Sequence, residues 1–266
     1  MDNNQLAIKR FFEGDAVQSK FKELLGKKAQ GFVTSVLQVV NNNDMLINAD
    51  PVSVYQSAAM AATLDLPINN NLGFAYIVPY NSKQKDGSFK VVAQFQMGYK
   101  GFVQLAQRSG TFKTISVSPI YEGQLVAENP LLGYQFDFTK KLSDKIIGYA
   151  AYFALINGFE KVAYMTMAEL EKHAKRFSQT YKKGFGLWKD DFDSMACKTV
   201  LKLLLAKFAP LSIEMQAAVL SDQAVLNSPV DVDYIDNPEE LKNETVVEEK
   251  KEALKNNPEQ ATINLP

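Results

Sequence analysis

The stretch Val91 to Gly110, VVAQFQMGYKGFVQLAQRSG, constrains the fold more than any other. Val91, Ala93, Phe95 and Met97 alternate with Val92, Gln94 and Gln96, the period of two expected of a half-buried strand with amides on its open face. The glycines at Gly98 and Gly101 turn the chain, and helical spacing follows. Lys100, Gln104, Gln107 and Arg108 then share one face, and Phe102, Leu105 and Ala106 the opposite one. A strand feeding directly into an amphipathic helix commits this part of the chain to a mixed architecture. The stretch contains no carboxylate. Its amides, the Tyr99 ring and its two cations, Lys100 and Arg108, are suited to a polyanion.

Around this stretch the pattern predicts more strands and helices. Ala16 to Leu25 and Ala29 to Val40 have helical spacing, and Asp50-Pro51 reads as an N-cap and first-turn proline opening a helix through Ala62. The small residues Ser57, Ala58, Ala59, Ala61 and Ala62 on that helix admit a close neighbour, in the centre of the fold or at a subunit contact. Leu72 to Tyr80 and Phe89 to Met97 are expected to pair across Asp86-Gly87, a hairpin signal. Lys83, Lys85 and Lys90 would make that hairpin a basic finger. Thr111 to Tyr121 and Tyr134 to Phe138 also read as strands. Ile146 to Ile156 is nearly all apolar and reads as a central strand buried on both faces, returning through Asn157-Gly158 to a strand over Phe159 to Thr166. Helices are expected at Met167 to Phe177, Asp190 to Phe208 and Ile213 to Leu220. The fold class is therefore α+β: a central, largely antiparallel sheet with a β-hairpin finger and helices packed on one side.

A second basic stretch runs from Lys172 to Lys202. It carries Lys172, Lys175, Arg176, Lys182, Lys183, Lys189, Lys198 and Lys202, interleaved with Phe177, Tyr181, Phe185 and Trp188. Lys198 and Lys202 lie one turn apart and point the same way from the late helix. Cations fixed on a helix can hold successive phosphates, and rings between cations can stack on bases. Trp188, four residues before Phe192, also has the spacing of a structural anchor.

The overall charge of −1 conceals a strong asymmetry. Asp222 to Pro266 holds eleven acidic residues and four lysines, a balance of −7, which leaves residues 1–221 at +6. A basic body with an acidic tail fits a nucleic-acid-binding protein. The expected organisation is a loose N-terminus (1–15), a core (16–221) and an acidic, disordered tail (222–266) broken by Pro229, Pro238 and Pro258, with a transient helix over Pro238 to Lys255. No apolar run approaches the roughly 18 residues of a membrane span, and MDNNQLAIKR has no signal-peptide core. The single cysteine, Cys197, has no partner for an internal disulfide. A reducing cytoplasm is expected.

Catalytic chemistry finds no support in the sequence. His173 lies in a basic helix without a Ser or Cys partner. GYKG (Gly98 to Gly101) lacks the spacing of a phosphate-binding loop, so neither ATPase activity nor a nucleotide cofactor is expected. The carboxylates of the body are scattered, whereas nuclease chemistry needs them clustered around metal ions. Asp65, in Leu64 to Pro67 (LDLP), is read as orienting a turn. Two rival function classes stay open: a metal-dependent DNA nuclease and a phage structural assembly protein.

LDLPINNNLGFAYIVPY (Leu64 to Tyr80) followed by AQFQMGYKGFVQLAQRSG (Ala93 to Gly110) resembles the signature of the RecT family of phage and prophage single-strand DNA annealing proteins. INGFEK (Ile156 to Lys161), FGLWKDDFDSMACKTVL (Phe185 to Leu201) and LS-I-MQ-A (Leu211 to Ala217) extend the resemblance in the same order. It implies a protein that binds single-stranded DNA, assembles into rings or helical filaments, and anneals complementary strands without ATP. The family pattern falls on Gln94, Gln96, Tyr99, Lys100 and Arg108, and on Trp188, Lys189, Lys198 and Lys202. It is less clear over Lys182 and Lys183. The resemblance also implies a phage exonuclease and the host single-strand-binding protein as partners of the C-terminal region.

Overall fold

The computed structural model describes residues 3–83, 87–129 and 132–222, together with 225–226 and 232–233. Helices α1 (Asn3–Glu13), α2 (Asp15–Leu25), α3 (Ala29–Asn41), α4 (Asp44–Ile47) and α5 (Pro51–Thr63) come first. The hairpin β1 (Ala75–Lys83) and β2 (Phe89–Met97) follows, then α6 (Tyr99–Arg108) and β3 (Phe112–Tyr121). A small hairpin, β4 (Leu125–Asn129) and β5 (Gly133–Phe136), precedes β6 (Ile146–Leu155) and β7 (Glu160–Thr166). Helices α7 (Met167–Phe177), α8 (Gln179–Lys182), α9 (Leu187–Asp190), α10 (Phe192–Phe208) and α11 (Ile213–Ser221) lead to the short pair β8 (Val225–Leu226) and β9 (Val232–Asp233).

The α+β expectation holds, and among the described residues every pairing between these strands is antiparallel. It is distributed over the β1–β2 hairpin, a sheet ordered β3–β6–β7, and the smaller pairs β4–β5 and β8–β9. Strand β6 lies in the middle of its sheet, as its apolar run requires. Helices α7 and α10 pack against this sheet. The β4–β5 hairpin contributes Tyr134 and Phe136 to a separate small core around Ile120, Ala150 and Tyr164. The Tyr149 hydroxyl on β6 donates to the Asp193 carboxylate and ties the sheet to the first turn of α10. Burial, reinforced by that carboxylate, raises the Tyr149 phenol above its usual range.

Helix α5 resolves the question its small residues posed: it packs centrally, on β2. Ser53, Ser57, Ala58, Ala61 and Ala62 are buried, and the Ala93 amide donates to Ser53 Oγ at 2.8 Å. Asp50 caps the helix, accepting from the Ser53 amide at 3.1 Å.

The N-terminus corrects the expectation of a loose segment. Residues Asn3–Glu13 form α1, and Ile8 and Phe12 are buried. Phe12 stacks on Phe21 of α2, 6.0 Å between centroids. The aromatic periodicity of this helix is hidden by its polar beginning. The other boundary also moves, because Asp222, assigned by charge to the tail, is buried in the core. The disorder expected of the tail, and the transient helix within it, lie outside the described residues.

Candidate nucleic-acid interface

The end of β2 departs from the half-buried strand that alternation suggested. Gln94 is 0% exposed and Gln96 3%, so both faces of the strand are covered. The Gln96 amide donates to the Tyr80 hydroxyl at 2.7 Å and to Gln94 Oε1 at 3.3 Å. These amides, expected to meet DNA, are satisfied inside the fold, because a buried polar group requires partners. Gln94 is thereby removed from any interface, while Gln96 still borders a cleft.

Gly98 and Gly101 have a packing role. A Cβ on Gly98 would be driven into the Gly73 carbonyl, and one on Gly101 into the Phe74 carbonyl. The chain before β1 therefore lies directly on the turn, and the Gly98 amide donates to Phe74 O at 2.9 Å. Gly98 is the N-cap of α6 and offers no side chain to it. The open amides of the first turn make this end of the helix electropositive. Tyr99 is half-buried and Lys100 is exposed beside it.

Arg108 sits at the other end of α6 and performs a different task. Its guanidinium donates to Leu64 O at 2.8 Å and Asp65 O at 2.7 Å. Lys28 joins the cluster, 3.2 Å from the Asp65 carboxylate. Asp65 has a positive φ of 47°, so the Arg108 contact holds a strained turn. Arg108, expected to meet DNA, is engaged here in a structural clamp. We expect Arg108→Ala to lower stability by about 1–2 kcal/mol, through loss of charge-assisted bonds at a partly exposed site, and to leave the salt dependence of DNA binding unchanged. Thermal melts and salt titrations check this.

Lys198 and Lys202 do point the same way, but toward a carboxylate. Lys198 Nζ lies 2.8 Å from Asp222 Oδ1, and Lys202 Nζ 2.8 Å from Asp222 Oδ2. The Met97 amide also donates to Asp222 Oδ1, at 2.9 Å. Lys198 is only 5% exposed and Asp222 1%. Burial alone would raise the Asp222 carboxyl, but the two ammonium groups outweigh it and hold it below the usual carboxylate range. Lys198, expected to grip phosphate, is thus internally paired. Asp222 was missed because its partners are distant in sequence.

The two stretches nonetheless open on a common side. A cleft of about 330 Å³ is bounded by Asn70 and Asn71, by Tyr99 and Lys100 of the turn, and by Ser194 and Lys198 of α10. Next to it, a cleft of about 160 Å³ is lined by Tyr80, Ser178, Phe185 and Trp188. Gln96, Leu187 and Met195 border both. Asp191 also lines the first cleft, its carboxylate accepting from the Ser194 amide at 3.2 Å as the cap of α10. Asn70 and Asn71, which line this cleft, were not singled out in the sequence, because asparagine runs read first as turns.

Lys175 and Arg176 are exposed on α7, Lys182 on α8, Lys183 just after it and Lys189 on α9, and α8 and α9 reach this second cleft through Thr180, Leu187 and Trp188. Lys175 lies 3.9 Å from Glu171, and Arg176 sits over the Phe177 ring at 5.1 Å. Trp188, by contrast, is 5% exposed and packs edge-on against Phe192 at 5.4 Å. It anchors the start of α10, the structural role its spacing suggested. His173 packs on Phe177 at 4.5 Å, and burial, with Lys202 and Arg176 nearby, lowers it to about 4. Burial likewise pushes the Cys197 thiol up to about 11. Gln104 is half-buried, with Oε1 inside and unbonded, a poor position for a DNA contact. On the finger, Lys90 pairs with Asp50 at 2.9 Å. The side chain of Lys83 and the whole of Lys85 lie outside the described residues. Among the described residues no cluster of His, Cys, Asp and Glu could hold a metal ion, and no helix is long and apolar enough to cross a membrane.

The RecT family model matches residues 30–246. The chain is 47% identical over 245 residues to the uncharacterized protein YqaK of Bacillus subtilis, covering 90% of this chain and 82% of YqaK. It is 28% identical over 202 residues to the protein RecT of Escherichia coli, covering 71% of this chain and 68% of RecT.

Proposed function

This chain belongs to the RecT family, a single-strand annealing recombination protein in general character, and on that premise we propose how it holds its DNA. The strand lies along the cleft between the Gly98–Lys100 turn and α10 and continues over the basic surface of α7 to α9. Lys100 and the first amides of α6 take phosphate, Tyr99 supports the neighbouring sugar or base, and Lys175, Arg176, Lys182, Lys183 and Lys189 extend the track. Gripping the backbone leaves base edges open to a complementary strand. Such binding is indifferent to sequence and sensitive to salt. It needs no nucleotide, so annealing proceeds without ATP. Neighbouring copies, set side by side in a ring or helical filament, join their tracks into one. A phage exonuclease and the host single-strand-binding protein dock on the C-terminal region.

The observation that carries this reading is the shared cleft: Tyr99 and Lys100 from one stretch and Ser194 and Lys198 from the other line the same opening. The test mixes complementary oligonucleotides without nucleotide. Wild-type protein is expected to accelerate pairing. Lys100→Ala is expected to slow it and to make the slope of log affinity against log salt shallower by about 0.7, the loss of one single-strand phosphate contact. An unchanged slope removes Lys100 from the interface. Absence of acceleration by wild type removes the function itself, and degradation of the DNA in magnesium would favour the nuclease reading.

A further inference from the structure

Three donors converge on one carboxylate at the junction of β2, α10 and α11. The Met97 amide and the Lys198 ammonium reach Asp222 Oδ1, at 2.9 and 2.8 Å, and the Lys202 ammonium reaches Oδ2 at 2.8 Å. A backbone amide with two fixed cations is the donor set of an oxyanion site, and a phosphodiester presents to it the same single charge and pair of anionic oxygens as a carboxylate. The site has an approach from outside: Asp222, Lys198 and Lys202 line a cleft of about 190 Å³, and the Lys202 side chain on it is 25% exposed. Lys198 also lines the cleft that holds Tyr99 and Lys100. Met97, whose amide is the third donor, immediately precedes the Gly98 turn.

We propose that Asp222 occupies, as an internal surrogate, a phosphate site made by the Met97 amide, Lys198 and Lys202, and that a backbone phosphodiester of bound single-stranded DNA displaces it. The proposal rests on the reading of the cleft as a DNA site and assigns the regulation of that site. With Asp222 in place, the two lysines are neutralised and the strand is held by the outer cations alone. With a phosphate in place, the carboxylate swings out with the end of α11. Repulsion between this carboxylate and the incoming phosphate weakens binding in the closed state, and the exchange couples DNA binding to the segment that follows α11. Asp222 is a gate here, the lysines the ligands. The pairing also explains why Lys198, legible in the sequence as a phosphate contact, is buried: the chain carries its own anion for it.

The test compares full-length wild type with Asp222→Asn. Asparagine keeps an acceptor for the Met97 amide and removes the counter-charge. Asp222→Asn is expected to bind an oligothymidine more tightly, with a salt slope steeper by about 0.7 for the one phosphate gained without competition. Inorganic phosphate, against chloride at equal ionic strength, is expected to raise the melting temperature of Asp222→Asn and to leave wild type unmoved. Hydrogen exchange on wild type does not depend on the variant folding: the Ser221 and Asp222 amides are expected to exchange faster once oligothymidine is bound. An equal salt slope in folded Asp222→Asn overturns the proposal, as do an equal phosphate response in both proteins and unchanged or slower exchange at the end of α11. Failure of wild type to bind the oligonucleotide is a different result and overturns the DNA-site reading beneath it.

Discussion

Asp222→Ala is expected to lower the stability of the protein by about 3–5 kcal/mol, the usual cost of leaving a buried charge without its partner. For a chain of this size that is a fall in melting temperature of about 10 °C. The cost arises on Lys198, 5% exposed, whose ammonium would face the core with no counter-charge, and on the Met97 amide, which would lose its acceptor. Removing the charges together, Lys198→Met with Asp222→Leu, is expected to recover much of the loss, because apolar residues of similar volume can replace a buried pair. The sign of the pH dependence follows from the lowered Asp222 carboxyl. Its contribution is complete above the ordinary carboxyl value of about 4 and is lost as pH falls through the lower folded value. Wild type should therefore lose this increment in acid, while Asp222→Ala, melted across the same range, should lack that part of the acid dependence. Equal stability of wild type and Asp222→Ala at neutral pH would contradict the assignment.

Gly98→Ala is the second large effect. The added methyl group would meet the Gly73 carbonyl oxygen well inside contact distance, and the Gly73 carbonyl carbon at 2.9 Å. Both are backbone atoms, so no rotamer change relieves the clash. The turn must move away from the segment before β1, at a cost of about 3 kcal/mol or more for an overpacked backbone contact. Because the same turn aims Tyr99 and Lys100 into the cleft, single-strand binding should fall even at temperatures where the variant remains folded. Gly26→Ala makes an informative comparison: Gly26 has a positive φ of 55° but nothing near its added Cβ. It should cost about 1 kcal/mol through strain alone and leave binding intact. Melting curves and a binding isotherm for each variant separate the two mechanisms.

Much of the architecture was legible because it depends on local pattern. The apolar run over Ile146 to Leu155 gave the central strand, Asp50-Pro51 the start of α5, and Asn157-Gly158 a hairpin whose glycine has a φ of 88°. Helix α1 was obscured because its first turn is polar and its buried side, Ile8 and Phe12, is narrow. Two basic stretches were legible, and the structure brings them to one cleft, but what their side chains meet there was not. Alternation placed Gln94 and Gln96 on an open face, whereas both are buried in the fold, with Gln96 bonded to Tyr80 and to Gln94. Helical spacing put Lys198 and Lys202 on one side of α10 but could not reveal that Asp222 waits there, 24 residues from Lys198 and 125 from Met97. Arg108 shared a helical face with Lys100, yet a helix of this length carries its ends to different neighbours. Periodicity fixes which way a side chain points along an element, and tertiary contacts decide what it meets.

The path of the bound strand tests the account most directly. A cryo-electron microscopy reconstruction of the full-length protein assembled on oligothymidine would place the phosphates. The account predicts them in the cleft between Lys100 and α10, continuing past Lys189 toward Lys182 and Lys183. A strand running instead over the Lys28, Asp65 and Arg108 cluster, with Tyr99 and Lys100 empty of contacts, would contradict it.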